Sequence, residues 1–307
     1  MAMKDCIVIG AGAAGLSAGL TLARARRTTL LVDAGRPSNL VATSIGGLSG
    51  HDRQAPGEYY AVARAQLAAY PSVELRSGEV LQAVRNDDGT FAVTLAGGRR
   101  EWARAVILAP GMNYRFPDVP GLAERWGTSA FHCPFCRGWE ARNQPMGVLA
   151  SGAVGVHGAL NLRAWTDRIT LLTNGASLTG DHRDLLAAGG IAWDERPVAV
   201  LDGPGTDLRT VAFTDGTDLA VTALLVKSTL YQRSTLARDL GAILTAPDEM
   251  LSVEAIAVDA MCRTAVPGLY AAGDAATSVP PSMAAAIASG YLAGAAATVQ
   301  TAAGSLR

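Results

Sequence analysis

Near its N-terminus the chain reads Cys6-Ile7-Val8-Ile9-Gly10-Ala11-Gly12-Ala13-Ala14-Gly15, and soon afterwards Thr28-Thr29-Leu30-Leu31-Val32-Asp33. The first β-branched run predicts a strand. Leu16, Leu20 and Ala23 at helical spacing predict a helix to about Arg27, and 28–32 predicts a second strand. Asp33 follows Gly15 by 18 positions, which completes a G-x-G-x-x-G loop with an acid at the end of the second strand, the dinucleotide fingerprint. Gly10 permits the tight turn, Gly12 lets the backbone approach a pyrophosphate, and Gly15 lets the helix pack on the strand. The helix N-terminus then faces the phosphates, and Asp33 accepts from a ribose hydroxyl.

Outward from that loop, composition sets bounds. A chain of 307 residues predicts two domains of ordinary size. With 26 basic and 27 acidic residues, nothing favours a nucleic acid or a membrane surface. Abundant alanine and glycine fit an α/β protein with closely packed helices, and genome base composition explains them equally well. Four cysteines do not make a secreted disulfide scaffold, and Cys6 and Cys262 read as packing residues. No run of 18 apolar residues suggests a membrane span. The apolar N-terminus lacks a cleavage pattern, so the expected location is the cytoplasm.

A polar loop with Pro37, Asn39, Gly46, Gly47 and Gly50 leads to a helix over 56–70. Strands over 73–75, 79–85, 90–95 and 102–108, with turns at Asn86-Asp87-Asp88-Gly89 and Gly97-Gly98, predict a small antiparallel meander. Pro117, Pro120 and Gly121 mark a domain crossing. A second unit begins near Met146, with a strand over 147–150, a loop over 151–155 and a helix over 156–165. Strands follow over 169–173, 191–200, 210–213 and 223–226. Gly268-Leu269-Tyr270-Ala271-Ala272-Gly273-Asp274 reads as a strand ending in a glycine and an acid, and a helix over 282–299 returns the chain to the first sheet.

Between the two units stands Phe131-His132-Cys133-Pro134-Phe135-Cys136-Arg137-Gly138-Trp139-Glu140. Two cysteines at this spacing close a reactive disulfide. The fingerprint, the Cys-x-x-Cys and the late Ala-Ala-Gly-Asp together resemble the low-molecular-weight thioredoxin reductases over nearly the whole chain. The resemblance implies an α/β fold of two Rossmann-like (three-layer ββα) domains. A discontinuous FAD domain would span 1–115 and 242–307, and an NADPH-type domain carrying the dithiol would span 116–241. It further implies that Gly10, Gly12, Ala14, Gly15 and Asp33 hold the ADP half of FAD. Gly273 and Asp274 would hold the pyrophosphate and ribityl chain, and Met283 and Ala284 would lie near the isoalloxazine. Cys136 would face the flavin and Cys133 would exchange with substrate. A homodimer is implied as well.

Two departures redirect the reading. The second loop is Ala150-Ser151-Gly152-Ala153-Val154-Gly155, without the first turn glycine, and the family's His-Arg-Arg position reads Thr173-Asn174-Gly175. An NADPH site without arginine lacks charge-assisted phosphate bonds, each about 1.5–3 kcal/mol. Arg137 stands where thioredoxin reductases place an Asp. The text around the dithiol is more similar to FAD-dependent dithiol oxidases of the gliotoxin and holomycin type, which join two thiols of a small molecule with O2 as acceptor. That subfamily often has a His after the second Cys, so Arg137 departs there too and leaves the proton acceptor open. His132 is a candidate base or a packing residue, and Glu140 a candidate base or a solvated carboxylate. Arg137 either lowers thiol pKa values and binds a substrate carboxylate or is a surface residue. Phe135, Trp139 and Tyr114 either wall a substrate site or belong to the core. His51, His157 and His182 have no metal-ligand spacing, and no metal is expected. The competing functions are a small-molecule dithiol oxidase, a disulfide reductase fed by NADPH or ferredoxin, and a flavin-binding sensor.

Overall fold

The structure is a computed structural model that describes residues 3–246, 254–276 and 281–304. The chain divides into two units. Met1–Leu40, Gln54–Tyr114 and Leu230–Arg307 form the first, and Val41–Arg53 with Arg115–Thr229 form the second.

In the first unit β1 (Lys4–Ile9) runs into α1 (Ala13–Arg24), β2 (Thr29–Asp33), α2 (Pro56–Ala68), β3 (Val73–Ser77), β4 (Val80–Arg85), β5 (Phe91–Leu95) and β6 (Arg100–Leu108). The sheet order is β3-β2-β1-β6-β5-β4, with Leu269–Ala271 also paired to β6. Residues of β1 alternate between faces. Ile7 and Ile9 enter one core layer, and Cys6 and Val8 enter the other, so the strand is covered on both sides. Long β6 serves β5 and β1 besides Leu269–Ala271. Its first half pairs antiparallel with β5, and its second half runs parallel to β1. The meander is therefore β4-β5-β6, and β3 lies outside it, parallel to β2 from Thr29↔Val73 to Asp33↔Ser77.

The first helix stops at Arg24, three residues before the expected end, because Arg26 turns left-handed at φ 59° and Arg27 N–H bonds back to Leu22 C=O at 3.0 Å. The last helix, Met283–Gly304, lies along α1. A Cβ at Gly290 would collide with the Ala14 carbonyl, and one at Gly294 would crowd the Ala18 carbonyl, so both glycines are needed for the approach. Among the described residues its segment Met283–Ala302 is long and apolar enough to cross a bilayer by length and mean composition, although Ser289, Thr298, Gln300 and Thr301 interrupt it and it holds no run of 18 apolar residues. Here it serves as a packing helix whose Ala293 and Ala297 are fully buried.

The second unit holds a parallel sheet in the order Ala192–Asp194, Ile169–Leu172, Met146–Leu149, Ala223–Val226, Ala130–Phe131. Helices Gly152–Leu162 and Gly180–Ala188 make its crossovers, and Val198–Asp202, Thr210–Phe213 and Asp218–Ala220 form a separate antiparallel sheet. The strand expected over 191–200 is broken at Glu195-Arg196-Pro197 and shared between these sheets. Pro197 has no N–H to donate to a ladder.

Two expected domain boundaries are corrected. The chain returns to the first unit at Leu230, not at 242, because Leu230, Leu236, Ala237 and Leu240 are buried in its core. Residues 41–53 belong to the second unit. There Val41 packs so closely on Gly127 that no side chain fits at that glycine. Of the segment expected over 242–307, residues 247–253, 277–280 and 305–307 lie outside the described residues.

Candidate active site

The first unit brings the expected dinucleotide residues together. Gly10 has φ +98°, and a Cβ there would collide with the Ala109 carbonyl. Gly12 caps α1 without a side-chain hydrogen bond, and nothing lies within 4 Å of where its Cβ would stand. The first N–H groups of α1 are thus left for a phosphate, with room for it. Gly15 allows no side chain against the Gly10 carbonyl, and Gly273, at φ +72°, sits so that a Cβ would be 3.0 Å from that of Ala14. Asp33 Oδ1 accepts from the Ala11 and Gly35 N–H groups at 3.4 and 3.1 Å, while Oδ2 accepts from Arg64 at 2.6 Å. Nothing in the sequence of α2 sets Arg64 apart. Met283 Sδ accepts from Asn39 at 3.1 Å, and Ala284 is exposed beside it. This cradle fits the adenosine diphosphate half of a dinucleotide.

Asp274 is held by a partner that sequence reasoning assigned elsewhere. Tyr114 donates to its Oδ2 at 2.9 Å while its ring packs on the core of the first unit, so of its two readings the core one holds, with a polar contact added. Burial pushes the Asp274 carboxyl up, while the Tyr114 hydroxyl and the Arg233 guanidinium pull it back. The Tyr114 hydroxyl itself is raised well above its ordinary value by burial and by the Asp274 charge.

In the second unit Cys133 and Cys136 are joined as a disulfide with their Cα atoms 5.4 Å apart. Pro134 opens the helical turn Pro134–Arg137, and its fixed φ suits that first position. The Cys136 N–H closes the turn on the Cys133 carbonyl at 3.2 Å. The loop 41–53 packs on this turn, with Gly46 against the Cys136 carbonyl. Arg137 Nη1 donates to Thr43 at 3.1 Å and to Ser44 at 2.9 Å. The sequence contained the signal, Gly46-Gly47, but not its destination. Phe135 and Trp139 are 78% and 53% exposed, so neither belongs to the core. Phe135 meets Trp165 edge-on at 5.2 Å, and Arg142 lies over Trp139 at 4.1 Å.

His132 stacks on Trp126 at 5.8 Å, and burial pulls its pKa down to about 4. It is neutral at physiological pH and can accept a proton, but the imidazolium would be poorly held. A standing general base would titrate nearer the working pH. Arg137 cannot serve as a base at all. Cys6 and Cys262 are buried free thiols, both pushed up by burial, and so are unreactive. Among the described residues no group of three His, Cys, Asp or Glu side chains is placed to hold a metal.

The second nucleotide loop is altered in shape as well as in sequence. The left-handed residue is Gly152, at φ +60°, whereas in the first loop it is Gly10, two positions earlier in register. The helix begins at Gly152, earlier than expected. At the position of the missing arginines, Asn174 Oδ1 accepts from Val198 N–H at 2.8 Å, and the Thr173 hydroxyl donates to the Ala176 carbonyl at 2.5 Å. Both side chains serve the backbone of their own unit.

Residues 4–290 match the family described as pyridine nucleotide-disulphide oxidoreductase. The chain belongs to this family. Among curated proteins, this oxidoreductase is 34% identical over 286 residues to thioredoxin reductase tcpT of Claviceps purpurea, covering 88% of this chain and 86% of that protein. Among solved structures it superposes on an oxidoreductase from Agrobacterium tumefaciens with a TM-score of 0.89 and 37% identity, covering 96% of this chain and 97% of the other. It superposes on HlmI with a TM-score of 0.91 and 34% identity, covering 99% and 94%. The fold is thus the α/β thioredoxin-reductase type with two Rossmann-like domains, and the oxidoreductase carries a disulfide centre.

Proposed function

We propose that this oxidoreductase is an FAD-dependent dithiol oxidase that closes an intramolecular disulfide in a small molecule, in natural-product biosynthesis or self-protection. One observation carries the reading: the Cys133–Cys136 pair is intact, while the nucleotide loop of the same unit has neither the turn glycine nor a basic grip. The first unit is the FAD domain in this reading, and the second is a former NADPH domain. Gly10, Gly12, Ala14, Gly15 and Asp33 hold the ADP half, Gly273 and Asp274 the pyrophosphate and ribityl chain, and Met283 and Ala284 border the ring.

A substrate thiolate attacks Sγ of Cys133, the S–S bond breaks, and Cys136 leaves as thiolate. The substrate's second thiolate then attacks its own mixed-disulfide sulfur and displaces Cys133. The cyclic disulfide is released, and two electrons stay on the protein dithiol. FAD, which Gly10, Gly12, Ala14, Gly15, Asp33, Gly273 and Asp274 would hold, would supply a two-electron acceptor for that pair, with O2 as the final oxidant and hydrogen peroxide as its product. His132, neutral at working pH, passes the thiol proton on without storing it, and Arg137 favours thiolate beside it. The enzyme works in the cytoplasm as a homodimer. The exposed apolar face of the last helix, with Tyr291 and Val299 at 57% and 72% exposure, supports the dimer.

The name of the Claviceps purpurea relative favours a second reading, a disulfide reductase fed by NADPH or ferredoxin. Anaerobic mixing of the yellow protein with NADPH, NADH and a small dithiol in turn separates the two. Bleaching by the dithiol alone, with peroxide after air is admitted, is the expected result. Rapid bleaching by NADPH returns the protein to the reductases.

A further inference from the structure

Beside the dithiol turn, within the second unit, lies an open cavity of about 350 Å³ lined by Thr43, Ser129, Arg137, Glu140, Asp207 and Thr222 among others. That volume lies in the range of small-molecule sites. We infer that this cavity binds a single carboxylate carried by the dithiol substrate, with Arg137 as the residue that reads it. The inference rests on the dithiol-oxidase reading.

The guanidinium has five N–H donors in a fixed fork. Nη1 is committed to Thr43 and Ser44, whereas Nε is buried without a hydrogen-bond partner. A buried orphan donor costs free energy. Nε is closed off and Nη1 is committed, so the donors left for a ligand are those of Nη2, which can meet one oxygen of a carboxylate. Arg137 is the one cation among the described lining residues.

The rest of the lining limits the charge of the ligand. Ser129 and Thr222 spend their hydroxyl protons on the carbonyls of Thr206 and Pro145, at 2.6 and 3.1 Å, and so present lone pairs. Glu140 and Asp207 add two exposed carboxylates. One arginine against two acids leaves the lining net negative, so only direct contact with Arg137 can hold a single carboxylate there, and a phosphate or any other polyanion is repelled more strongly. Arg137 also follows Cys136 directly, so a carboxylate held there places the rest of a short molecule beside the dithiol. Arg137 is then a specificity residue for the substrate and needs no part in proton transfer.

The test compares dihydrolipoate with dihydrolipoamide, which share a dithiol and differ in one carboxylate, with dithiothreitol as an uncharged third dithiol. The holoenzyme should show a kcat/KM about tenfold or more in favour of dihydrolipoate, and added salt should shrink that ratio. Arg137→Gln should bring the ratio near one, and Arg137→Lys should keep part of it. A wild-type ratio near one, or one favouring the amide, overturns the inference. So does a ratio that survives Arg137→Gln. The wild-type ratio and its salt dependence decide the matter even if the variant fails to fold. Failure of all three dithiols to bleach the flavin overturns the oxidase reading itself, and the inference with it.

Discussion

The hydroxyl of Tyr114 donates to Oδ2 of Asp274 across 2.9 Å, and the pair sits beside an arginine whose own position is set by backbone. Arg233 donates through Nε to the Met112 carbonyl at 3.1 Å and through Nη1 to the Arg36 carbonyl at 2.6 Å. Burial favours the neutral carboxyl, while Tyr114 and Arg233 favour the carboxylate. The balance leaves Asp274 raised.

A carboxyl raised in the folded state binds its proton more tightly than it does in the unfolded chain. The stability it adds is fully present below the unfolded pKa and is lost as pH rises through the folded one. At neutral pH, without a ligand, Asp274 is therefore a cost. Asp274→Asn should raise the melting temperature of the apoprotein at pH 7 by a few degrees and should weaken retention of FAD. Tyr114→Phe should lower apoprotein stability by about 1–2 kcal/mol and raise the Kd for FAD about tenfold. Thermal melts and fluorescence titration with FAD read both effects, and an Asn variant that melts lower at pH 7 counts against this account.

Gly46 has no room for a side chain because the Cys136 carbonyl occupies the space. Gly46→Ala should cost about 1–3 kcal/mol and slow oxidation of a small dithiol, while the first unit still takes up FAD. Gly57, in α2, has nothing within 4 Å of its Cβ position. Gly57→Ala should be neutral or slightly stabilising, since Gly57 lies in the first turn of α2 and alanine has the higher helix propensity. Equal losses in the two variants would show that Gly46 matters only as a generic glycine.

The parts of the fold legible in the sequence are those enforced locally. The turn from β1 through Gly10 into α1 and the acid at the end of β2 follow from sterics and periodicity within about 30 residues. What escaped prediction depends on distant partners. Residues 41–53 join the second unit through Gly46 and through Thr43 and Ser44 on Arg137, some 93 residues away for the Ser44 bond. The pairing of β3 with β2 lies between strands separated by α2, and short apolar runs do not announce their neighbours. Within the site, the cysteine pair and the glycine loop were readable because their spacing carries the chemistry. Arg64 on Asp33 and Tyr114 on Asp274 were not, because an arginine in a helix and a tyrosine before a crossing have no sequence signature.

Restoring the first turn glycine of the second loop should not restore nicotinamide binding. Ala150→Gly frees the backbone at that position, yet the left-handed residue is already Gly152 and Asn174 remains tied to Val198. No arginine follows to meet a 2′-phosphate, so the charge-assisted bonds that hold NADPH are still missing. Anaerobic NADPH should leave the flavin of Ala150→Gly as yellow as that of the wild type over minutes. Bleaching of the variant alone would place the whole defect in that one turn.

His132 makes a prediction with a definite sign. Burial holds its pKa at about 4, below the ordinary 6.5, so the unfolded chain takes up a proton that the folded protein refuses. The stability linked to His132 is therefore complete above pH 6.5 and drains as pH falls toward 4, by at most about 3 kcal/mol. In His132→Asn this segment of the stability curve should flatten, as measured by denaturant melts at pH 7, 6 and 5. A wild-type slope that survives the substitution would assign it to other groups. Kinetics supply a second readout that packing alone would not move. If His132 relays the thiol proton as a neutral imidazole, wild-type kcat/KM for a small dithiol should show no inflection near pH 6.5, and His132→Asn should lower it across pH 5–8. An inflection near 6.5 in the wild type that is absent from the variant would mean that His132 titrates as an ordinary base, exposed to solvent during turnover.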